Sequence, residues 1–171
     1  MSHVFLIGFM GAGKSTVARR VGELLGRPVI DLDERIESRA GSSVTAIFEN
    51  LGESAFRQLE AEQLLELAEE PPSVVACGGG IVVNHENRAF LKSAGLVVYL
   101  RVTAGETLAR IGADGTRPLL SGPGGAIVAT KLLEARESLY TTVADVTVDT
   151  VARTPDEVAR DVVLAVKESA R

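Results

Sequence analysis

Gly8-Phe9-Met10-Gly11-Ala12-Gly13-Lys14-Ser15-Thr16 fits the pattern G-x-x-x-x-G-K-[ST], and its flanks decide what that pattern means. Ahead of it, the apolar run His3 to Ile7 reads as a buried strand. Behind it, Val17, Val21, Leu24 and Leu25 recur at helical spacing. Strand, glycine-rich turn and helix, in that order, make the setting of a phosphate-binding loop. The glycines let successive backbone N–H groups converge on phosphate oxygens. Lys14 reaches toward the β- and γ-phosphates, and the Ser15 hydroxyl suits Mg²⁺. Gly11, Ala12, Gly13, Lys14, Ser15 and Thr16 are therefore the expected ATP contacts.

Working outward, apolar runs alternate with helical patterns to the end of the chain. Strands are predicted at His3–Ile7, Pro28–Leu32, Ser73–Cys77, Leu96–Arg101 and Asp145–Asp149. Helices are predicted near Lys14–Leu25, Asp33–Ala40, Val44–Asn50, Ser54–Glu69, Glu86–Ala94, Ala104–Ile111, Gly125–Thr142 and Pro155–Glu168. In the last of these Val158, Val162, Val163 and Val166 share a face, and Thr154-Pro155 is a cap followed by proline at the first helical position. Strands that are apolar throughout and each followed by a helix imply a parallel sheet covered on both sides. The expected fold is a doubly wound α/β domain of five strands spanning residues 1–171. Gly112 to Gly125 breaks the periodicity with Gly112, Gly115, Pro118, Gly122, Pro123, Gly124 and Gly125, and reads as a mobile lid carrying Arg117.

The bulk properties narrow the function. With 171 residues and 46% hydrophobic content, the chain supports a core without disulfides. A net charge of −5 argues against a general nucleic-acid surface. No apolar run approaches the ~20 residues of a bilayer span, and no secretory signal is expected ahead of the first strand. The lone Cys77 excludes an internal disulfide and suits a reducing compartment. A cytoplasmic enzyme acting as a monomer on small molecules, with no nucleic-acid or membrane partner, is the expectation.

In open α/β sheets ligands bind beyond the carboxyl ends of the strands, which selects a short set of residues. Asp31 and Asp33 follow the second strand; in extended backbone they share a face and aim at the γ-phosphate region. One suits Mg²⁺ through water, the other an acceptor hydroxyl, whereas the plainer role for Asp33 is the N-cap of the next helix. Gly78-Gly79-Gly80 follows the third strand and offers N–H groups to a small polar ligand, or simply a tight turn. On the helix Ser54–Glu69, Arg57 lies off the apolar stripe of Phe56 and Leu59 with Glu60 one turn on. That is either a surface ion pair or a guanidinium held ready for a substrate carboxylate. Arg110, Arg117, Arg136 and Arg153 are indistinguishable from surface arginines on local grounds.

Taken together, these segments resemble the shikimate kinase family nearly end to end. Gly8–Thr16 resembles its phosphate loop, and Asp31-Leu32-Asp33 its D-x-D segment. Gly52-Glu53, Phe56-Arg57 and Glu60 resemble its G-E-x-x-F-R-x-x-E helix, and Gly78–Gly80 its G-G-G turn. Arg117-Pro118-Leu119-Leu120 resembles its lid, and Arg136 with Leu139-Tyr140 its R-x-P-L-Y signature. The resemblance implies a P-loop fold of the nucleoside monophosphate kinase-like group, with acceptor-binding helices at about 33–60 and a lid at about 112–125. It implies transfer of phosphate from ATP to the 3-hydroxyl of shikimate, with Mg²⁺ served by Ser15 and Asp31. Asp33 would hold the ring hydroxyls and act as base or orienting group; Arg57 and Arg136 would bind the carboxylate, beside Gly79 and Gly80. Lys14 and Arg117 would stabilise the transferring phosphoryl group. Arg110 and Arg153 would border adenine. Two departures stand out: Ser138 replaces the proline of R-x-P-L-Y, and Ser121 to Thr130 is rich in glycine and alanine.

Two other readings compete. Another small P-loop kinase, for gluconate or a nucleoside monophosphate, shares the loop, but a nucleotide acceptor calls for a larger basic site. A nucleotide-binding regulator without catalysis shares it too, but has no use for Asp33 and Arg117.

Overall fold

A computed structural model describes residues 2–114 and 124–170, the side chains of 111–114 excepted. The elements run β1 (His3–Ile7), α1 (Lys14–Leu25), β2 (Val29–Asp31), α2 (Leu32–Ala40) and α3 (Val44–Glu66), with a short 3₁₀ turn at Leu67–Glu69. They continue as β3 (Val74–Ala76), α4 (His85–Ala94), β4 (Gly95–Arg101), α5 (Ala104–Asp114), α6 (Gly125–Val143), β5 (Val146–Asp149) and α7 (Pro155–Ser169).

The five strands form one parallel sheet in the order β2-β3-β1-β4-β5. β1 lies at the centre because it is apolar on both faces: Val4, Phe5, Leu6 and Ile7 are all buried. β1 pairs with β3 through Val4 and Val74 and with β4 through Phe5 and Val97. The sheet order reverses beside β1, so the crevice at its carboxyl end is the switch point at which such folds take ligands. All five predicted strands are present.

The predicted helices Val44–Asn50 and Ser54–Glu69 lie on either side of Gly52, whose backbone (φ 83°, ψ 169°) leaves the helical region. α3 is thus two helices joined across a kink, the second ending at Glu66. Nothing lies within 4 Å of a Cβ built on Gly52, so the backbone conformation alone reserves the position for glycine. Leu32, not Asp33, opens α2, so Asp31 and Asp33 do not share a face of extended chain. Asp31 is the cap: its side chain accepts the N–H groups of Asp33 and Glu34. Finally, α5 runs on past the predicted Ile111 through Asp114, while α6 opens at Gly125 as predicted. Arg117, with Pro118, Leu119 and Leu120, lies outside the described residues.

Two hydrophobic clusters result. The larger wraps the sheet with α1, α4, α6 and α7 and includes Phe9, Val21, Leu91, Tyr140 and Val162. The smaller holds Ile36, Ile47 and Phe56 between α2 and α3, with Phe48 and Leu59 against it. α7 begins with the capping box of Thr154 and Glu157, with Pro155 next.

Candidate active site

The phosphate loop is fixed by its own backbone and by α5. Gly8 (φ 148°) passes so close to β4 that a Cβ would come 2.5 Å from the Leu100 carbonyl oxygen. Gly11 and Gly13 take positive φ, 76° and 84°, which turns the chain into α1. Thr107 donates to the Met10 carbonyl at 3.2 Å and Arg110 to that of Gly11 at 2.9 Å. Arg110 also donates to Thr150 O, so it joins the loop to the end of β5. Lys14 Nζ donates to the Gly8 and Phe9 carbonyls at 2.8 and 2.9 Å, folded over the loop that it serves. Ala12 is buried, while Ser15 and Thr16 occupy the first turn of α1 with Thr16 exposed.

Ser15 Oγ donates to Asp31 Oδ2 while Asp31 Oδ1 caps α2. One carboxylate thereby connects the phosphate loop to the start of α2. A hydroxyl beside a carboxylate, both hard oxygen donors, suits an Mg²⁺ that keeps most of its waters and phosphate ligands. No group of three or more His, Cys, Asp or Glu side chains forms a dedicated cation cage among the described residues.

The predicted acceptor residues converge on the glycine turn. A Cβ at Gly78 would lie 2.6 Å from Glu60 Oε1 and 3.0 Å from Asp33 Oδ1, so both carboxyl groups press on that α-carbon. A Cβ at Gly80 would overlap the Arg57 guanidinium. Gly79 rests on the phosphate loop, its would-be Cβ 3.4 Å from Met10 N. From the other side, α6 brings Arg136 within 3.5 Å of the Gly79 carbonyl oxygen, and Tyr140 donates its hydroxyl to that same oxygen. Asp33, Arg57, Gly79, Gly80 and Arg136 thus surround one turn at the carboxyl end of β3.

Arg57 is held on three sides. It donates to Glu60 Oε2 at 2.8 Å and to Glu53 at 3.3 Å, and stacks over Phe56 and Phe48 at 5.3 and 5.9 Å. The surface ion pair is excluded as a description, because Glu60 is completely buried. Burial pushes the Glu60 carboxyl above its ordinary value against the lowering pull of Arg57, and neighbouring Asp33 raises it further. Its Oε1 has no hydrogen-bond partner among the described residues. Cys77, just before the turn, is buried and its thiol is pushed far up by burial, so it is a packing residue.

Arg153 stands apart from this convergence. Its guanidinium is engaged by the Asp149 and Glu157 carbonyls and by Asp161, all on β5 or α7. Sequence reasoning missed two features. Tyr140 stood in the R-x-P-L-Y resemblance without a role, and its hydroxyl on Gly79 was foreshadowed by that and by its position one turn after Arg136. The bracing of the loop by Thr107 has no local signal.

A family model described as Shikimate kinase matches residues 10–167, nearly the whole chain. The chain belongs to the shikimate kinase family. A curated shikimate kinase of Enterococcus faecalis is 40% identical over 170 residues, covering 98% of this chain and all of the relative. One of Bordetella pertussis is 43% identical over 147 residues, covering 86% of this chain and 70% of the relative. Among solved structures, a shikimate kinase from Acinetobacter baumannii in complex with shikimate superposes with a TM-score of 0.94 at 37% identity. It covers 99% of this chain and 94% of that one. The chain is accordingly a kinase, and its fold is that of the solved shikimate kinases. No helix among the described residues is long and apolar enough to cross a membrane.

Proposed function

We propose that the chain transfers the γ-phosphoryl group of ATP to the 3-hydroxyl of shikimate, giving shikimate 3-phosphate and ADP. The observation that carries this reading is the meeting of Asp33, Arg57 and Arg136 around a glycine turn that rests on the phosphate loop. Two guanidinium groups match a planar carboxylate and one carboxylate matches a polyol. A small hydroxy acid fits that set better than a nucleotide, and the Acinetobacter baumannii relative holds shikimate itself.

The roles follow from charge and reach. Arg57 and Arg136 bind the carboxylate and set the ring in one orientation. Gly79 and Gly80 offer N–H groups to a ring hydroxyl. Asp33 orients the 3-hydroxyl and accepts its proton as that oxygen bonds to the γ-phosphorus, and the bond to the β-phosphate oxygen breaks. Gly11 to Thr16 cradle the phosphates, and Lys14 swings from the Gly8 and Phe9 carbonyls onto the transferring group. Arg110 borders the base. Arg117, outside the described residues, supplies further positive charge in this reading, and Arg153 shapes the adenine side through its hold on α7. Ser15 and Asp31 would hold Mg²⁺, which neutralises phosphate charge when bound. The reading takes 1–171 as one kinase domain acting as a cytoplasmic monomer.

An ADP-release assay with shikimate, gluconate, CMP and AMP as separate acceptors tests it. Release with shikimate alone is the expected result. Release with gluconate or a nucleotide but not shikimate overturns the substrate, and no release with any acceptor overturns the kinase reading.

A further inference from the structure

The three carbonyl groups of the Gly78–Gly80 turn are satisfied in two different ways. Gly78 O accepts the N–H of Ile81 at 3.1 Å, and Gly80 O accepts the N–H of Val83 at 3.0 Å. Gly79 O accepts the hydroxyl of Tyr140 and, at 3.5 Å, the guanidinium of Arg136. The outer carbonyls are thus held by the turn itself, and the middle one by side chains of α6.

The difference matters because the peptide between Gly79 and Gly80 is flanked by glycine on both sides. Neither residue has a Cβ to restrict rotation of that peptide plane. In a trans peptide the carbonyl and the following N–H point in opposite directions. Whatever fixes Gly79 O therefore fixes the direction of the Gly80 N–H, next to the Arg57 guanidinium. Tyr140 is well built for this. It is completely buried, and its ring stacks on Tyr99 with centroids 5.0 Å apart and planes 20° from parallel. Burial raises its phenol, so it remains a donor. The Tyr99 hydroxyl, by contrast, has no hydrogen-bond partner among the described residues.

We infer that Tyr140 is a positioning residue of the acceptor site: its hydroxyl locks the Gly79–Gly80 peptide so that the Gly80 N–H faces the bound hydroxy acid. The inference rests on the acceptor reading given above. It assigns Tyr140 no contact with the acceptor itself.

The two stacked tyrosines supply a matched test. Tyr140→Phe and Tyr99→Phe each delete one hydroxyl and keep both rings. Shikimate and ATP affinities are measured by calorimetry on each full-length protein, together with the backbone ¹⁵N shift of Gly80. In Tyr140→Phe, shikimate affinity falls about three- to tenfold. Its ATP affinity stays within about twofold, and the Gly80 resonance moves before any ligand is added. Tyr99→Phe leaves all three unchanged. Unchanged shikimate affinity in Tyr140→Phe overturns the inference, as does an equal loss of ATP affinity or an equal effect of Tyr99→Phe. If the unsubstituted protein binds ATP but not shikimate, the acceptor reading fails and takes the inference with it.

Discussion

The donor half and the acceptor half of the site are stabilised by different physics. The phosphate loop grows out of β1, which is buried along its whole length, and is braced through backbone carbonyls by Thr107 and Arg110. The acceptor helices have only Ile36, Ile47 and Phe56 as a buried centre of their own. Val44, Phe48 and Leu59 pack partly buried against that centre, and polar contacts add to it: Arg35 bonds Gln63, Glu66 and Glu70, and Arg39 bonds Glu66. Partly exposed ion pairs contribute little each, while apolar burial around a sheet sums to a large term. The acceptor half, with the smaller apolar centre, is therefore expected to lose amide protection before the sheet does.

The largest expected effect separates chemistry from nucleotide binding. Asp33→Asn is expected to lower kcat by about a thousandfold or more, since in the proposed mechanism Asp33 takes the proton, while ATP affinity measured by calorimetry is retained. Near-normal turnover in that variant removes Asp33 from its role. Arg136→Ala comes next: the shikimate KM rises about a hundredfold with a far smaller change in the ATP KM. Equal shifts in both would join the halves rather than separate them.

Two smaller effects probe stability. Gly52→Ala places a side chain in a conformation that only glycine adopts freely, at a cost of about 1–3 kcal/mol. Hydrogen exchange of α2 and α3 amides accelerates, whereas β1 and β4 amides keep their protection. For Glu60→Gln the sign follows from the raised carboxyl. The folded state prefers Glu60 protonated, so its stabilising contribution is present below the ordinary value of 4.5 and is lost as pH rises through the higher folded value. The Tm of the unsubstituted protein therefore falls relative to that of Glu60→Gln as pH rises from below 4.5 through the raised folded value. Thermal melts across that range measure it; a constant difference would contradict the burial of an ionisable group there.

Local signals were enough for the fold. Five apolar runs give five strands, and Thr154-Pro155 marks the start of α7 by its own backbone preference. The break in α3 was legible too, because Gly52 reads as a terminator between two helices and its backbone is non-helical there. The site was legible only in part. Asp33 and Gly78–Gly80 stood out as residue types beyond strand ends and Arg57 as an arginine off a helix's apolar stripe, whereas the capping role fell to Asp31 because β2 ends one residue earlier than its apolar run. Whether Glu60 was exposed could not be read from an i,i+3 spacing, which is the same for a solvated pair and a buried one. Tyr140 acts across 61 residues of sequence, and no periodicity encodes that distance.

Cys77 has a practical consequence. It is the chain's one thiol, sealed beneath the glycine turn with its ionisation suppressed. To a maleimide reagent the natural protein is therefore a blank surface. Cysteines placed at exposed Leu51 on α3 and Leu164 on α7 would carry a fluorophore pair with no background labelling. The distance between the acceptor helices and the sheet scaffold then becomes an optical signal, read one molecule at a time.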